Sequence, residues 1–252
     1  MPSTAAHNGD EIYFEAHGEG PVVLLYNADP RVPEHPLKAQ ATGLREALVE
    51  ELSGRYRVVL LSYPGKPKDD SLTPETVTTD LLAVADAAGA DRFAWWGYSW
   101  GGVIGLQLAI RTDRLTALAM TGFPPVDGPY SEMLHCSRVI AAADPAALGI
   151  PAELAVQYPQ FVKYYEGLQG FDDRAAQRDV SCPKLCFVGG ADELSLGGEF
   201  ITHLGDTVAG RRDELESLGW EVDIVPGEDH VGACRADVVV PRLSAFFDEH
   251  LR

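Results

Sequence analysis

Gly97-Tyr98-Ser99-Trp100-Gly101 sets a serine between glycines two residues away on either side. A serine on a sharp strand-to-helix turn sits in strained backbone with its hydroxyl exposed. Glycines at those two places remove side chains that would collide with the neighbouring strand and helix. The flanks suit such a turn. Phe93-Ala94-Trp95-Trp96 reads as a buried strand, and Val103 to Ile110 as a nearly all-apolar, buried helix. Ser99 is therefore a candidate nucleophile, with the positive end of a helix starting at Trp100 aimed at the reacting atom. The plain alternative is a glycine-rich turn whose serine merely caps a helix. Two nucleotide-binding patterns fail: Ser99 takes the second glycine of a G-x-G-x-x-G, and the chain has no G-K-[ST].

A serine hydroxyl needs a neighbouring base to take its proton. Of seven histidines, His7 and His250 lie near the ends, His17 and His35 in early loops, and His135 and His203 in helical patterns. His230, in Gly227-Glu228-Asp229-His230-Val231-Gly232, follows the last strand signal, on the same carboxyl edge as Ser99. An imidazole in that role needs a carboxylate to hold its tautomer and stabilise its cation. Asp192, in the turn Gly189-Gly190-Ala191-Asp192 after another strand, fits, which makes the chain order Ser99, Asp192, His230. Neighbouring Glu193 is an alternative acid, and Asp127, after the strand at 115–120, is a reserve.

Elements that place three residues at one edge must be parallel strands with helical crossovers. Strand signals fall at 12–14, 22–26, 58–61, 93–96, 115–120, 184–188 and 221–225. Helical patterns fall at 37–53, from Thr73-Pro74-Glu75 to Gly89, at 103–110, at 198–218 and in a closing segment with Val238, Val239, Leu243, Phe246 and Phe247. That alternation predicts an α/β fold with a mostly parallel sheet covered by helices on both faces. Residues 127–181 break the rhythm with helical patterns near 131–143 and 151–169 and no convincing strand. They read as a small helical lid inserted into a core of 1–126 and 182–252. Its aromatics Tyr158, Phe161, Tyr164 and Tyr165 in the second helical pattern, with Phe171 just beyond, could line an apolar pocket or simply seat the lid, with Tyr158, Phe161 and Tyr165 the pocket candidates. Trp95 and Trp96 read as core, and Trp100 as core or pocket wall.

The 252 residues, 46% hydrophobic and 23% charged, describe an ordinary globular chain. Twenty Lys+Arg against 38 Asp+Glu give a net charge of −18, which repels nucleic-acid phosphates and anionic lipid, so neither is an expected partner. No apolar run reaches the roughly 18 residues of a spanning helix, and the first residues lack the basic and apolar regions of a secretory signal. Cys136, Cys182, Cys186 and Cys234 form no C-x-x-C. Cys182 and Cys186 would stand about 13 Å apart along a strand, too far for a disulfide or shared metal. Four reduced thiols point to a cytoplasmic protein, with no metal or cofactor expected.

These residues in this order on this strand pattern resemble the α/β-hydrolase superfamily, from about residue 11 to 250. The resemblance is strongest at Gly97–Gly102, Gly189–Asp192 and Asp229–His230. Asp80-Leu81-Leu82, Ala88-Gly89 and Arg92-Phe93 leading into the serine turn are similar to the esterase, lactonase and thioesterase branches, and Tyr63-Pro64-Gly65 resembles the usual turn before them. A serine nucleophile disfavours the dehalogenase and epoxide hydrolase branches, which use aspartate there. The resemblance implies an oxyanion hole from the Trp100 N–H and an N–H of Asn27 or Ala28, where the family commonly has His-Gly. Tyr98 stands where relatives often have histidine, a departure read as a packing variation. The implied function is a serine hydrolase cleaving an ester, thioester or lactone of a small acyl substrate. The alternatives are acyl transfer, C–C bond cleavage or a cofactor-independent biosynthetic reaction on the same fold, or a non-catalytic ligand-binding protein on a hydrolase scaffold.

Overall fold

The computed structural model describes residues 2–26, 43–63, 71–148, 156–196 and 199–251. Its main sheet has eight strands: β1 Ser3–Ala5, β2 Glu11–His17, β3 Val22–Leu25, β4 Arg57–Ser62, β5 Phe93–Tyr98, β6 Leu115–Thr121, β7 Lys184–Gly189 and β10 Trp220–Val225. They lie in the order β1-β2-β4-β3-β5-β6-β7-β10. Within this sheet, among the described residues, only the pairs β1–β2 and β2–β4 are antiparallel. From β4 onward every pairing is parallel, so all carboxyl ends meet at one edge.

Alternation along the buried strands sends neighbouring residues to opposite faces. Leu24, Trp95, Leu118 and Met120 join one apolar cluster, with Val77, Leu81 and Val84 of helix α2 (Pro74–Ala87) and Val103 and Leu106 of α3 (Trp100–Ala109). Leu25, Trp96, Ala119 and Phe187 join another, with Leu48 of α1 (Leu44–Leu52) and Val239 and Leu243 of the closing helix Ala236–His250. The two adjacent tryptophans thus anchor opposite faces. Both are fully buried and both indole N–H groups are satisfied, Trp95 by the Gly101 carbonyl (3.0 Å) and Trp96 by Thr121 Oγ1 (2.9 Å).

Helix α2 starts where its sequence predicts. Thr73 Oγ1 accepts from the Thr76 N–H (3.2 Å), Thr76 returns the bond to the Thr73 N–H (2.8 Å), and Pro74 occupies the first turn. Helix α1 is described from Leu44, and residues 37–42 of its expected span lie outside the described residues. Between β6 and β7 come α4 (Tyr130–Ala142), a short 3-10 turn Pro145–Leu148 and the helices Tyr158–Glu166 and Asp173–Ala176. Residues 151–155 of the expected 151–169 helix lie outside the described residues.

Two regions correct the sequence expectation. The single helix expected over 198–218 is instead the strand β9 (Glu199–His203) followed by helices Leu204–Gly210 and Arg212–Ser217. β9 pairs antiparallel with β8 (Glu193–Leu196), forming a hairpin directly after Asp192. The helical periodicity of Leu204, Val208 and Leu215 is real, but it begins only at Leu204. Gly205 fixes that start, because a Cβ there would lie 2.4 Å from the Gly189 carbonyl oxygen. The second correction is β1, an edge strand too short and polar to show alternation.

Candidate active site

Ser99 caps α3 with φ 56° and ψ −118°, a conformation that costs of the order of 1–3 kcal/mol and needs its surroundings to hold it. Those surroundings are specific. The Ser99 N–H donates to the Thr121 carbonyl (2.7 Å), and Gly102 and Val103 donate back to the Ser99 carbonyl (2.9 and 3.3 Å). A Cβ on Gly97 would sit 2.2 Å from the Gly101 carbonyl oxygen, so the turn closes only with glycine there. The Trp100 N–H, first of the helix, has no acceptor within the helix and lies at its positive end.

The acid and the histidine come from the two neighbouring carboxyl ends, β7 and β10. Their loops are laced by backbone bonds: Gly190 N–H to the Val225 carbonyl (2.8 Å) and Ala191 N–H to the Glu228 carbonyl (2.9 Å). Gly189 lets them approach, since a Cβ there would meet the Glu228 carbonyl oxygen at 2.2 Å. The Asp192 carbonyl takes the N–H groups of Leu204 and Gly205 (2.9 and 3.0 Å), so the hairpin returns the chain onto the acid turn. The Gly232 N–H donates to Asp229 Oδ1 (2.6 Å), closing the histidine loop on itself.

Ser99, Asp192 and His230 meet. Nε2 of His230 lies 3.1 Å from Ser99 Oγ, and Nδ1 lies 2.9 and 3.1 Å from the two Asp192 carboxylate oxygens. The Asp192 side chain is fully buried while the imidazole is 17% exposed, so the acid is shielded and the base opens toward the nucleophile. Glu193 is instead exposed and pairs with His203 (3.0 Å). Asp127, the reserve acid, is engaged by other partners. Its carboxylate is held by Arg174 (2.6 and 2.8 Å) and Arg211 (2.6 Å), which lower its pKa to about 2. Asn27 and Ala28 lie outside the described residues.

Trp100 forms an aromatic wall beside Ser99. Phe161 packs on it at 4.8 Å between ring centroids, Tyr164 at 5.2 Å, Tyr26 at 5.7 Å and Tyr63 at 6.2 Å. Tyr158 reaches this group through Phe161 (5.5 Å), whereas Tyr165 meets Tyr164 (5.8 Å). Tyr164 is one of the aromatics that the sequence places in the insertion, and its place beside Trp100 shows only when the 158–166 helix docks. The Trp100 Nε1 and the Tyr164 hydroxyl are buried without a hydrogen-bond partner among the described residues.

Tyr98, which the sequence presents as a packing variation, touches the histidine. Its hydroxyl donates to the His230 carbonyl (2.7 Å), and its ring lies 4.8 Å from the imidazole, tilted by 37°. Burial pushes its pKa well up, so the phenol keeps its proton and remains a donor. Among the described residues no group of three or more His, Cys, Asp or Glu could hold a metal ion, and no helix is long and apolar enough to cross a membrane.

Known proteins share the fold and part of the sequence. The chain is 26% identical over 223 residues to RutD of Azorhizobium caulinodans, a protein named for carbamate hydrolysis. The match covers 75% of this chain and 80% of that one. Its fold is similar to a thermophilic esterase from Thermogutta terrifontis (TM-score 0.65, 18% identity, all of both chains). It is also similar to the enol-lactonase of Burkholderia xenovorans LB400 (TM-score 0.62, 21% identity, 98% of this chain and 97% of that one). A family model for the alpha/beta hydrolase fold matches residues 40–181, more than half of the chain. The chain belongs to the alpha/beta hydrolase family.

Proposed function

We propose that this protein is a serine hydrolase that opens a small carboxylic ester, thioester or lactone through an acyl-enzyme. The observation that carries the reading is the relay itself: a strained Ser99 with His230 Nε2 at 3.1 Å and a buried Asp192 at 2.9 Å from Nδ1. Ser99 Oγ attacks the acyl carbon as His230 Nε2 takes its proton, and the carbonyl oxygen becomes an oxyanion. The Trp100 N–H, with an N–H of Asn27 or Ala28, receives that charge. His230 then passes the proton to the leaving alcohol, thiol or ring oxygen. A water molecule gives its proton to His230 Nε2 and attacks the acyl carbon; the bond to Ser99 Oγ breaks, the acid leaves, and His230 returns the proton to Oγ. Asp192 holds Nδ1–H toward itself throughout and stabilises the imidazolium.

The helices between β6 and β7 act as a lid in this reading, carrying Phe161 and Tyr164 onto Trp100 and so forming an apolar wall for the acyl group. The Trp100 indole N–H, without a partner among the described residues, favours an acyl group with an oxygen or nitrogen acceptor on its chain. The similarity to RutD adds carbamates to the acyl groups worth offering, since the same attack on a carbonyl carbon opens them. A panel of p-nitrophenyl esters, including butyrate against its methoxyacetate isostere, tests the reading. Turnover that disappears in Ser99→Ala supports it, and a preference for methoxyacetate greater than the ratio of the two esters' uncatalysed hydrolysis rates supports the acceptor. Undiminished turnover in Ser99→Ala overturns it.

A further inference from the structure

We propose that Tyr98 is a positioning residue for the base: it sets the plane and height of the His230 imidazole against Ser99. The inference rests on the function proposed above and adds a part to that site. Asp192 binds one ring nitrogen and so fixes one point of the imidazole, which leaves rotation and tilt about that bond. His230 itself sits on an irregular loop after β10, with no helix or strand of its own to hold it. Tyr98 supplies both missing restraints. Its hydroxyl holds the backbone carbonyl of His230 (2.7 Å), which sets the height of the loop above the sheet. Its ring lies 4.8 Å from the imidazole at 37°, which limits the tilt.

The arrangement has its own cradle. Gly122, at φ +66°, lies beside both rings. A Cβ there would come within 2.9 Å of Tyr98 Cε2 and 3.2 Å of His230 Cε1, so any side chain would push the two rings. Tyr98 also precedes Ser99 directly in β5. The backbone that fixes the nucleophile therefore fixes the clamp on the base, and the Oγ-to-Nε2 separation is set through one residue instead of through the two distant loops alone. Misplacement of about 1 Å at such a contact can cost 10²-fold in rate, so a clamp of this kind has a measurable consequence.

The test is Tyr98→Phe, which keeps the ring and deletes the hydroxyl, beside Tyr98→Leu, which deletes both. Tyr56→Phe is the comparator, removing a tyrosine hydroxyl bond to Asp248 (2.6 Å) that joins the closing helix and has no part in the site. Each variant is assayed with p-nitrophenyl acetate below its melting midpoint, and the second-order rate of Ser99 labelling by a fluorophosphonate is measured alongside. For Tyr98→Phe we expect kcat and labelling rate to fall about 3- to 10-fold with KM within twofold of wild type. Tyr98→Leu should fall by about 10²-fold. Tyr56→Phe should lose thermal stability to a similar degree as Tyr98→Phe and keep its rates. Wild-type kcat and labelling in Tyr98→Phe, or equal rate losses in Tyr98→Phe and Tyr56→Phe, would overturn the positioning role. Ser99→Ala run in parallel separates the two levels. If it is inactive while Tyr98→Phe is unimpaired, only the positioning role fails; if it keeps full turnover, the reading of the site fails and takes Tyr98 with it.

Discussion

Serine, histidine and aspartate converge twice among the described residues, with similar spacing and different surroundings. In one set Ser99 Oγ is 3.1 Å from His230 Nε2, and His230 Nδ1 is 2.9 Å from Asp192. In the other, Ser71 Oγ is 2.5 Å from His7 Nε2, and His7 Nδ1 is 2.9 Å from Asp80. Distances alone would rank the second set at least equal to the first. The backbone separates them. Ser99 is forced into φ 56° at the head of a buried helix, and its side chain makes no capping bond to that helix. Ser71 precedes a helix whose cap is already Thr73, and its carbonyl accepts from Thr76 Oγ1 (2.8 Å). The acids differ as well. Asp192 turns its carboxylate to His230, whereas Asp80 is shared among the His7 ring, the His7 N–H (2.6 Å) and the Tyr63 hydroxyl. The second set is a tie that fastens the segment after β1 to α2 and the end of β4. A relay becomes a site only where donors wait for the charge that the reaction creates.

The largest expected contrast lies between the two serines. Ser99→Ala should lower ester turnover by about 10⁴-fold or more, while Ser71→Ala should stay within twofold of wild type. Matched losses would erase the distinction. The acids sharpen it on a second axis. Asp192→Asn should cost about 10³- to 10⁴-fold in kcat with little loss of fold, because the imidazole loses the partner that fixes its tautomer. Asp80→Asn should leave kcat unchanged and lower unfolding free energy by about 1–3 kcal/mol, since buried donors lose a charged acceptor. Denaturant melts read beside initial rates decide whether the two aspartates divide in that way.

A smaller effect concerns the ends of the insertion. Asp127 joins Arg174 and Arg211, and Arg174 also pairs with Glu214 (2.6 Å). Hydrogen bonds from Arg174 and Arg211 hold the Asp127 carboxyl at about 2, below its ordinary 3.8. The contribution of this pairing to stability is therefore complete above pH 4 and fades as pH falls toward 2. Asp127 and Arg174 are 36% and 39% exposed, so water and salt screen the pair and its worth is at most about 1 kcal/mol. The melting-temperature gap between wild type and Asp127→Asn should be constant from pH 4 to 7 and narrow below pH 4. A gap that widens toward acid would contradict the assignment.

Much of the architecture was legible because it rests on local signals. Buried parallel strands show as unbroken apolar runs, Thr73-Pro74 marks a helix start, and Gly97 marks a turn that no other residue fits at that place. The acid and histidine could be placed from their positions just past strand ends. What escaped notice depends on contacts without a local signature. The β8–β9 hairpin hides in front of a true helical period and is set by the approach of Gly205 to Gly189. His7 meets Asp80 across 73 residues of sequence, so nothing near either one announces the tie. Tyr98 lies inside the most conspicuous motif in the chain, where it reads as packing. Its role shows only when the loop after β10 folds back over β5.

Fluorophosphonate labelling of the purified protein, followed by peptide mass spectrometry, tests the central claim most directly. The account predicts one adduct per chain, on Ser99, formed at a rate that collapses in Asp192→Asn and is untouched in Asp80→Asn. An adduct on Ser71, or a Ser99 labelling rate indifferent to Asp192, would contradict it.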